Sequence, residues 1–163
     1  MAVKKKDRNV SKNDVLNKTR VLVEYILVLI RPREFDKDGN QIQKPGKLGE
    51  GQPLQAFGLD IFKCGKGIHA ACYQASKIYL KDEESLNARR ELYDKALDYC
   101  RAIFQLDDLC IYTYARNNKA KRQSFRHLAY LTKQMKDSIN DRKNRDVMIY
   151  NHCYSAPEHK FRR

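Results

Sequence analysis

The stretch Ser85-LNARRELYDKALDYCRAIFQLDDLCIYTYA-Arg116 decides how the chain is read. Leu92, Ala96, Tyr99, Ile103, Leu106, Cys110 and Thr113 follow one another at alternating steps of four and three, the period of one helical face. A second stripe lies beside it: Tyr93, Leu97, Cys100, Phe104, Ile111 and Tyr114. Two adjacent stripes make an apolar face wider than one partner helix needs. This predicts a helix over about 85–116, capped by Ser85 and interrupted on its apolar face near the end by Asp107 and Asp108. The excess width predicts a homo-oligomer.

Working outward, Asn117-Asn118 reads as a short turn. Beyond it, Phe125, Leu128, Thr132, Met135 and Ile139, with Leu131 beside them, predict a helix over about 119–144. Upstream, Ile61, Cys64, Ile68, Ala71, Cys72, Ala75 and Tyr79 predict another over about 54–80. Gly58, Gly65 and Gly67 weaken it, each by about 1 kcal/mol relative to alanine, and such small residues let another helix approach closely. The first helix runs over about 14–31, capped by Asn13 or Asp14 and stopped by Pro32. Its Val21–Ile30 portion is apolar nearly all round, which predicts burial on several sides.

Between the first two helices, 33–53 reads as a long loop with the densest glycine and proline punctuation in the chain. Asp38-Gly39, between Phe35 and Ile42, predicts a small hairpin turn. It is not a calcium loop. Counted from Asp36, the glycine falls at the fourth position instead of the sixth, and Lys47 stands where the bidentate glutamate belongs. The fold class is therefore all-α: an antiparallel up-down four-helix bundle that assembles into a ring or barrel oligomer. Residues 1–12 form a basic arm, 13–145 the bundle and 146–163 a tail.

A chain of 163 residues, 42% hydrophobic, suits one compact domain. Its net charge is +13 at pH 7. Such an excess opposes compaction by self-repulsion, which points to a polyanionic partner. The five cysteines show neither metal-knuckle nor redox spacing. Cys72, Cys100 and Cys110 sit among apolar helical residues and read as small hydrophobes in a reducing cytosol. No secretory signal follows the charged N-terminus. The Val21–Ile30 run is too short to span a bilayer, so no membrane partner is expected and the expected location is cytoplasmic.

Little converges toward chemistry. His69, His127, His152 and His159 make no i, i+4 pair, and there is no nucleophile elbow, dinucleotide fingerprint or Walker loop. Gly65-Lys66-Gly67 lacks phosphate-loop spacing, and Cys153 beside His152 makes no complete metal set. The reading is a protein that is not an enzyme, with no cofactor and no metal. Charge is the stronger signal. Lys119, Lys121, Arg122, Arg126, Lys133 and Lys136 lie on the fourth helix, mostly off its apolar stripe, and Arg89, Arg90 and Arg101 extend them onto the third. A basic face of this kind neutralises phosphates and releases their counterions, so these nine residues are the candidate nucleic-acid contacts. Tyr112, Tyr114 and Tyr130 lie near them and read as core or rim rather than as stacking platforms.

Several segments carry a family resemblance: Ile68-His69-Ala70-Ala71-Cys72-Tyr73-Gln74-Ala75, then Arg89-Arg90-Glu91-Leu92-Tyr93-Asp94-Lys95-Ala96, then the long third helix, then Phe125-Arg126-His127-Leu128-Ala129. Over about 13–145 this layout resembles the accessory variability determinant of diversity-generating retroelements, and the related four-helix proteins encoded in ribosomal RNA insertions. Arg101 matches a basic position used for nucleic acid in that family. The resemblance implies a non-catalytic subunit that forms a homopentamer, binds a reverse transcriptase and its template RNA, with DNA as a further ligand, and supports mutagenic copying of that RNA into cDNA. A stand-alone nucleic-acid-binding or ribosome-associated bundle and a self-assembling scaffold are the alternatives. The chain departs from the family in its 33–53 loop, its tyrosine-containing tail and its lack of a Ser-Ile-Pro-type signature in the second helix.

Overall fold

The computed structural model describes residues 5–30, 33–43 and 52–153, with side chains for 14–30, 36–40 and 57–153. It is a four-helix bundle: α1 (Lys5–Ile30), α2 (Gln52–Lys77), α3 (Glu83–Cys110) and α4 (Lys119–Cys153). A two-stranded antiparallel hairpin, β1 (Arg33–Phe35) and β2 (Gln41–Gln43), follows α1 with Glu34 opposite Ile42. Lys4 of the expected arm, the loop residues 44–51 and the tail residues 154–163 lie outside the described residues.

Two boundaries move outward from expectation. The helix begins at Lys5 instead of near residue 14, so most of the supposed arm is helical. No glycine or proline precedes Pro32, so nothing in the covalent chain stops a helix there. At the other end α4 continues to Cys153, through the start of the supposed tail. Its last turns are held by Asp146, which points inward and is 2% exposed. In contrast α2 ends at Lys77, earlier than expected. Tyr79, read as part of its apolar stripe, therefore lies past the helix and is 77% exposed.

The α3 cap is Asp82, three residues before the expected Ser85. Asp82 Oδ1 accepts from the Ser85 backbone N–H at 2.8 Å, and Ser85 Oγ accepts from the Asp82 N–H at 3.0 Å. This reciprocal capping box satisfies two donors that a helix start otherwise leaves unpaired. At its far end α3 runs directly into a π-helical turn, Ile111–Ala115. Asn118 then starts α4, its side chain accepting from the Lys121 N–H at 3.0 Å.

The Asp38-Gly39 turn closes the hairpin as its sequence indicates. Asp36 Oδ1 accepts from the N–H groups of Asp38 and Asn40 at 2.9 and 2.8 Å, and Gly39 takes φ +81°. The backbone bonds from Asn40 and Asp38 hold the Asp36 carboxyl below its ordinary value.

In the bundle, α1 and α3 each pack on α2 and α4. Thr19 meets His69, and Ile26 meets Gly65, across α1 and α2. Tyr99 covers Gly67, and Arg89 reaches Ile78, across α2 and α3. Asp94 pairs with Lys143 across α3 and α4, while Lys18 reaches Ser138 and Tyr25 reaches Ser124 across α1 and α4. The core joins Leu22, Ile26 and Leu29 of α1 with Ile61 and Ile68 of α2, Cys100 and Ile103 of α3, and Phe125, Leu128, Met135 and Ile139 of α4.

Both α3 stripes are used inside the chain. Ala96, Ile103 and Cys110 of one, and Tyr93, Leu97 and Cys100 of the other, are buried; Leu92, Tyr99, Leu106, Phe104, Ile111 and Tyr114 are half-buried, and Thr113 is exposed. The width that pointed to an oligomer is therefore taken up by two neighbours in the same bundle. The Val21–Ile30 run is less enclosed than its composition indicates: Leu22, Ile26 and Leu29 are buried, yet Val21 is 51% exposed. Among the described residues, no helix is long and apolar enough to cross a membrane.

Candidate nucleic-acid interface

An α-helix returns to the same side after three, four and seven residues. Phe125, Leu128, Thr132, Met135 and Ile139 occupy the inward side of α4 and are fully buried. Lys119, Arg122, Arg126 and Lys133 recur at the same steps on a different side. Lys119, Arg126 and Lys133 are exposed and Arg122 is half-buried. Exposed Lys136 borders this row on the side nearer α3, and half-buried Lys121 lies close to the inward face at the start of the helix. From Lys119 to Lys136 the row extends about 25 Å along the helix, at about 1.5 Å per residue.

Ion pairs among the described residues engage Lys18, Lys63, Arg89, Arg101, Arg142 and Lys143, and none engages the basic residues from Lys119 to Lys136. Among the described residues no carboxylate lies within ion-pair distance of the row, and the nearest acids on the same helix are Asp137, one turn beyond Lys133, and Asp141. Arg122 Nη1 donates to the Arg116 carbonyl, which holds its side chain against the turn before α4.

The α3 candidates divide. Arg90 is exposed and lines a cleft of about 180 Å³ between α3 and α4, together with Asn140, Lys143 and Asn144. Arg101 is exposed but pairs with Asp98 one turn earlier. Arg89 does not belong to the basic face. It is 6% exposed, donating from Nε to Asp146 Oδ2 at 2.8 Å and from Nη2 to Oδ1 at 2.9 Å. Its Nη1 also donates to the Ile78 carbonyl at 3.2 Å. A guanidinium so enclosed fastens α3 to α4 and to the end of α2, and cannot reach a phosphate.

The tyrosines divide as well. Tyr114 is half-buried edge-on against Phe57, as a rim residue. Tyr112 and Tyr130, read as core or rim, are instead 67% and 55% exposed. The Arg116 guanidinium lies 5.6 Å from the Tyr112 ring centre. Tyr130 stacks on His127 at 6.0 Å with 26° between planes, and its hydroxyl accepts from Gln134 at 2.7 Å. His127 meets Tyr25 edge-on at 4.6 Å. An ordered aromatic step therefore stands beside Arg126. Only its i, i+3 spacing was visible beforehand.

Cys72, Cys100 and Cys110 are buried packing groups, Cys64 is half-buried and Cys153 is exposed. Burial pushes the Cys72 and Cys100 thiols up to about 12, and that of Cys110 up to about 11, so all three are protonated near neutrality. Among the described residues no three His, Cys, Asp or Glu side chains converge on a metal position. His69 has a structural contact. The buried Thr19 hydroxyl lies 2.7 Å from the Leu16 carbonyl and 2.6 Å from His69 Nδ1, which ties α1 to α2 at this level.

No protein-family model, curated protein or solved structure matches the chain.

Proposed function

We propose that this chain is a non-catalytic RNA-binding accessory subunit that holds RNA on the outward side of α4 by charge. The observation that carries the reading is the row Lys119, Arg122, Arg126 and Lys133 with Lys136 beside it, on one rigid helix and outside the ion pairs of the described residues. Side chains fixed to a helix meet successive phosphates with little loss of conformational freedom, and the affinity comes from released counterions. Arg90 and Arg101 extend the surface onto α3, and Arg89 is excluded by its burial. The resemblance to the accessory variability determinant supplies the partners: a reverse transcriptase, its template RNA and the DNA copied from it, with the chain acting in the cytoplasm as a homopentameric ring. The cross-helix pairs, Thr19 with His69, Arg89 with Ile78, and Asp94 with Lys143, support an up-down antiparallel order within each subunit.

The test is the triple variant Lys119→Ala, Arg122→Ala, Arg126→Ala. It is expected to weaken RNA binding across sequences. The slope of log affinity against log salt is expected to flatten by about 2–3, at roughly 0.7–0.9 per phosphate contact. Its melting temperature is expected to stay near that of the parent, because these side chains lie outside the core. A folded triple variant that binds RNA as tightly as the parent at every salt concentration sinks the reading.

A self-assembling scaffold is the second reading. It is favoured by the outer apolar side chains Val21, Leu59, Leu109 and Met148, which are 51%, 54%, 44% and 70% exposed. It differs in requiring no salt-dependent affinity for RNA.

A further inference from the structure

One end of the bundle opens into a cleft of about 650 Å³, where α1, the end of α2, the start of α3 and the end of α4 meet. Arg20, Lys77, Arg89, Arg142 and Asp146 supply its charged lining. Four cations thus face one carboxylate. That carboxylate is already committed: both its oxygens accept from Arg89, and Arg142 Nε lies 3.4 Å from Oδ1. Burial pushes the Asp146 carboxyl up, while Arg89 and Arg142 pull it down. Two guanidiniums sharing one buried carboxylate leave at least one positive charge uncompensated on the cleft floor. A poorly hydrated charge of this kind is costly, and an anion relieves the cost.

The remaining groups narrow the class of anion. Arg142 is half-buried, and no hydrogen bond among the described residues uses its Nη groups, so its planar fork is available to an oxyanion. Lys77 and Arg20 are exposed at the rim. The walls are apolar and aromatic: Val15, Leu16, Leu80, Ile149, Tyr79 and Tyr93. Tyr79 lines the cleft and is 77% exposed, so its ring is open to a ligand, while the Lys77 ammonium lies 5.0 Å from the Tyr73 ring centre. An oxyanion joined to a planar aromatic body matches this division of charge and surface. The volume is also within the range of about 300–1,000 Å³ that small-molecule sites occupy.

We propose that this cleft binds a nucleoside monophosphate unit, its phosphate held by Arg142 with Lys77 and Arg20, and its base laid on Tyr79. The unit is supplied as a free nucleotide or as the phosphorylated end of an RNA strand. The proposal does not rest on the α4 face, which uses different residues.

The experiment titrates the full chain calorimetrically with AMP, adenosine and inorganic phosphate, and separately with an RNA hexamer carrying or lacking a 5′-phosphate. AMP is expected to bind saturably and adenosine much more weakly. Arg142→Gln is expected to weaken AMP binding about tenfold, the loss typical of removing one charge-assisted bond to the ligand. Lys77→Ala, on an exposed side chain, keeps the test decisive if Arg142→Gln proves unfolded by circular dichroism. If AMP fails to bind but the 5′-phosphate tightens hexamer binding through Arg142 or Lys77, the source is an RNA end and the site stands. The Lys119, Arg122, Arg126 triple variant is expected to bind AMP like the parent, which separates this site from the α4 face. The proposal is overturned if neither AMP nor the 5′-phosphate produces saturable binding. Binding that folded Arg142→Gln and Lys77→Ala variants leave unchanged overturns it equally.

Discussion

At the scale of single residues, Asp107 is the least comfortable group in the bundle. It is 4% exposed, and its Oδ1 has no hydrogen-bond partner among the described residues. Burial, reinforced by the neighbouring Asp108 charge, pushes its carboxyl from 3.8 up to about 7. The fold therefore favours the neutral acid. That preference stabilises the protein fully below pH 3.8, where the unfolded chain is also protonated, and is lost as pH rises through about 7. Asp107→Asn removes the titration. It is expected to gain about 1–3 kcal/mol over the parent at pH 7.5 and close to nothing at pH 4, read from urea midpoints at each pH. Gly67 is the opposite case, a residue the packing demands. A Cβ there would stand 2.5 Å from the Tyr99 ring, whereas at Gly65 it would meet the flexible Ile26 Cδ1 at 2.7 Å. Despite the helix propensity gained, Gly67→Ala is expected to destabilise by about 1–3 kcal/mol and to cost more than Gly65→Ala. Thermal melts of the two variants decide the order.

At the scale of elements, helix ends carry the testable content. The Asp82–Ser85 box starts α3, so Asp82→Ala is expected to cost about 1 kcal/mol and to speed amide exchange in the first turn of α3. The far end of α4 is held by Asp146, buried between Arg89 and Arg142. Arg89→Ala leaves the carboxylate beside Arg142 and is expected to cost less than Asp146→Ala, which strands the buried Arg89 guanidinium and is expected to cost about 3–5 kcal/mol. Arg89→Met with Asp146→Leu is expected to recover most of that loss, because an apolar pair needs no solvation. Urea denaturation of the singles and the double reads the difference. Recovery would show that the pair keeps α3 and α4 in register without adding net stability.

At the scale of the whole molecule, exposed apolar side chains occur on all four helices, with Leu109 on α3 and Met148 on α4 among them. The α4 row presents cations outside the ion pairs of the described residues, while Val21 and Leu59 expose apolar side chains on α1 and α2. A ring built through α1 and α2 would leave the α4 row open to RNA. Val21→Glu with Leu59→Lys is then expected to release monomers without changing the salt dependence of RNA binding. Light scattering on a sizing column reads the assembly. A parent chain already monomeric at micromolar concentration removes the ring from the proposal.

Much of the architecture was legible in the order of residues. The α2, α3 and α4 stripes bury a contiguous side because periods of three and four return a side chain to the same face whatever packs on it. Asp38-Gly39 turns because glycine reaches positive φ without strain and Asp36 bonds the turn's own backbone. Gly65 and Gly67 marked close approaches for the same local reason, the absence of a Cβ. The fate of Arg89 was not legible. In sequence it is one more arginine in a basic stretch, and its partner Asp146 lies 57 positions away. Which arginine is spent on a buried carboxylate and which stays in water depends on where distant helices meet. The same holds for the α3 face, whose width measured two neighbours in one chain, and for Tyr112 and Tyr130, which packing left outside. Periodicity and turn chemistry act over a few residues and are written in the chain itself. Burial and charge pairing are settled between helices, and only the tertiary structure brings those residues together.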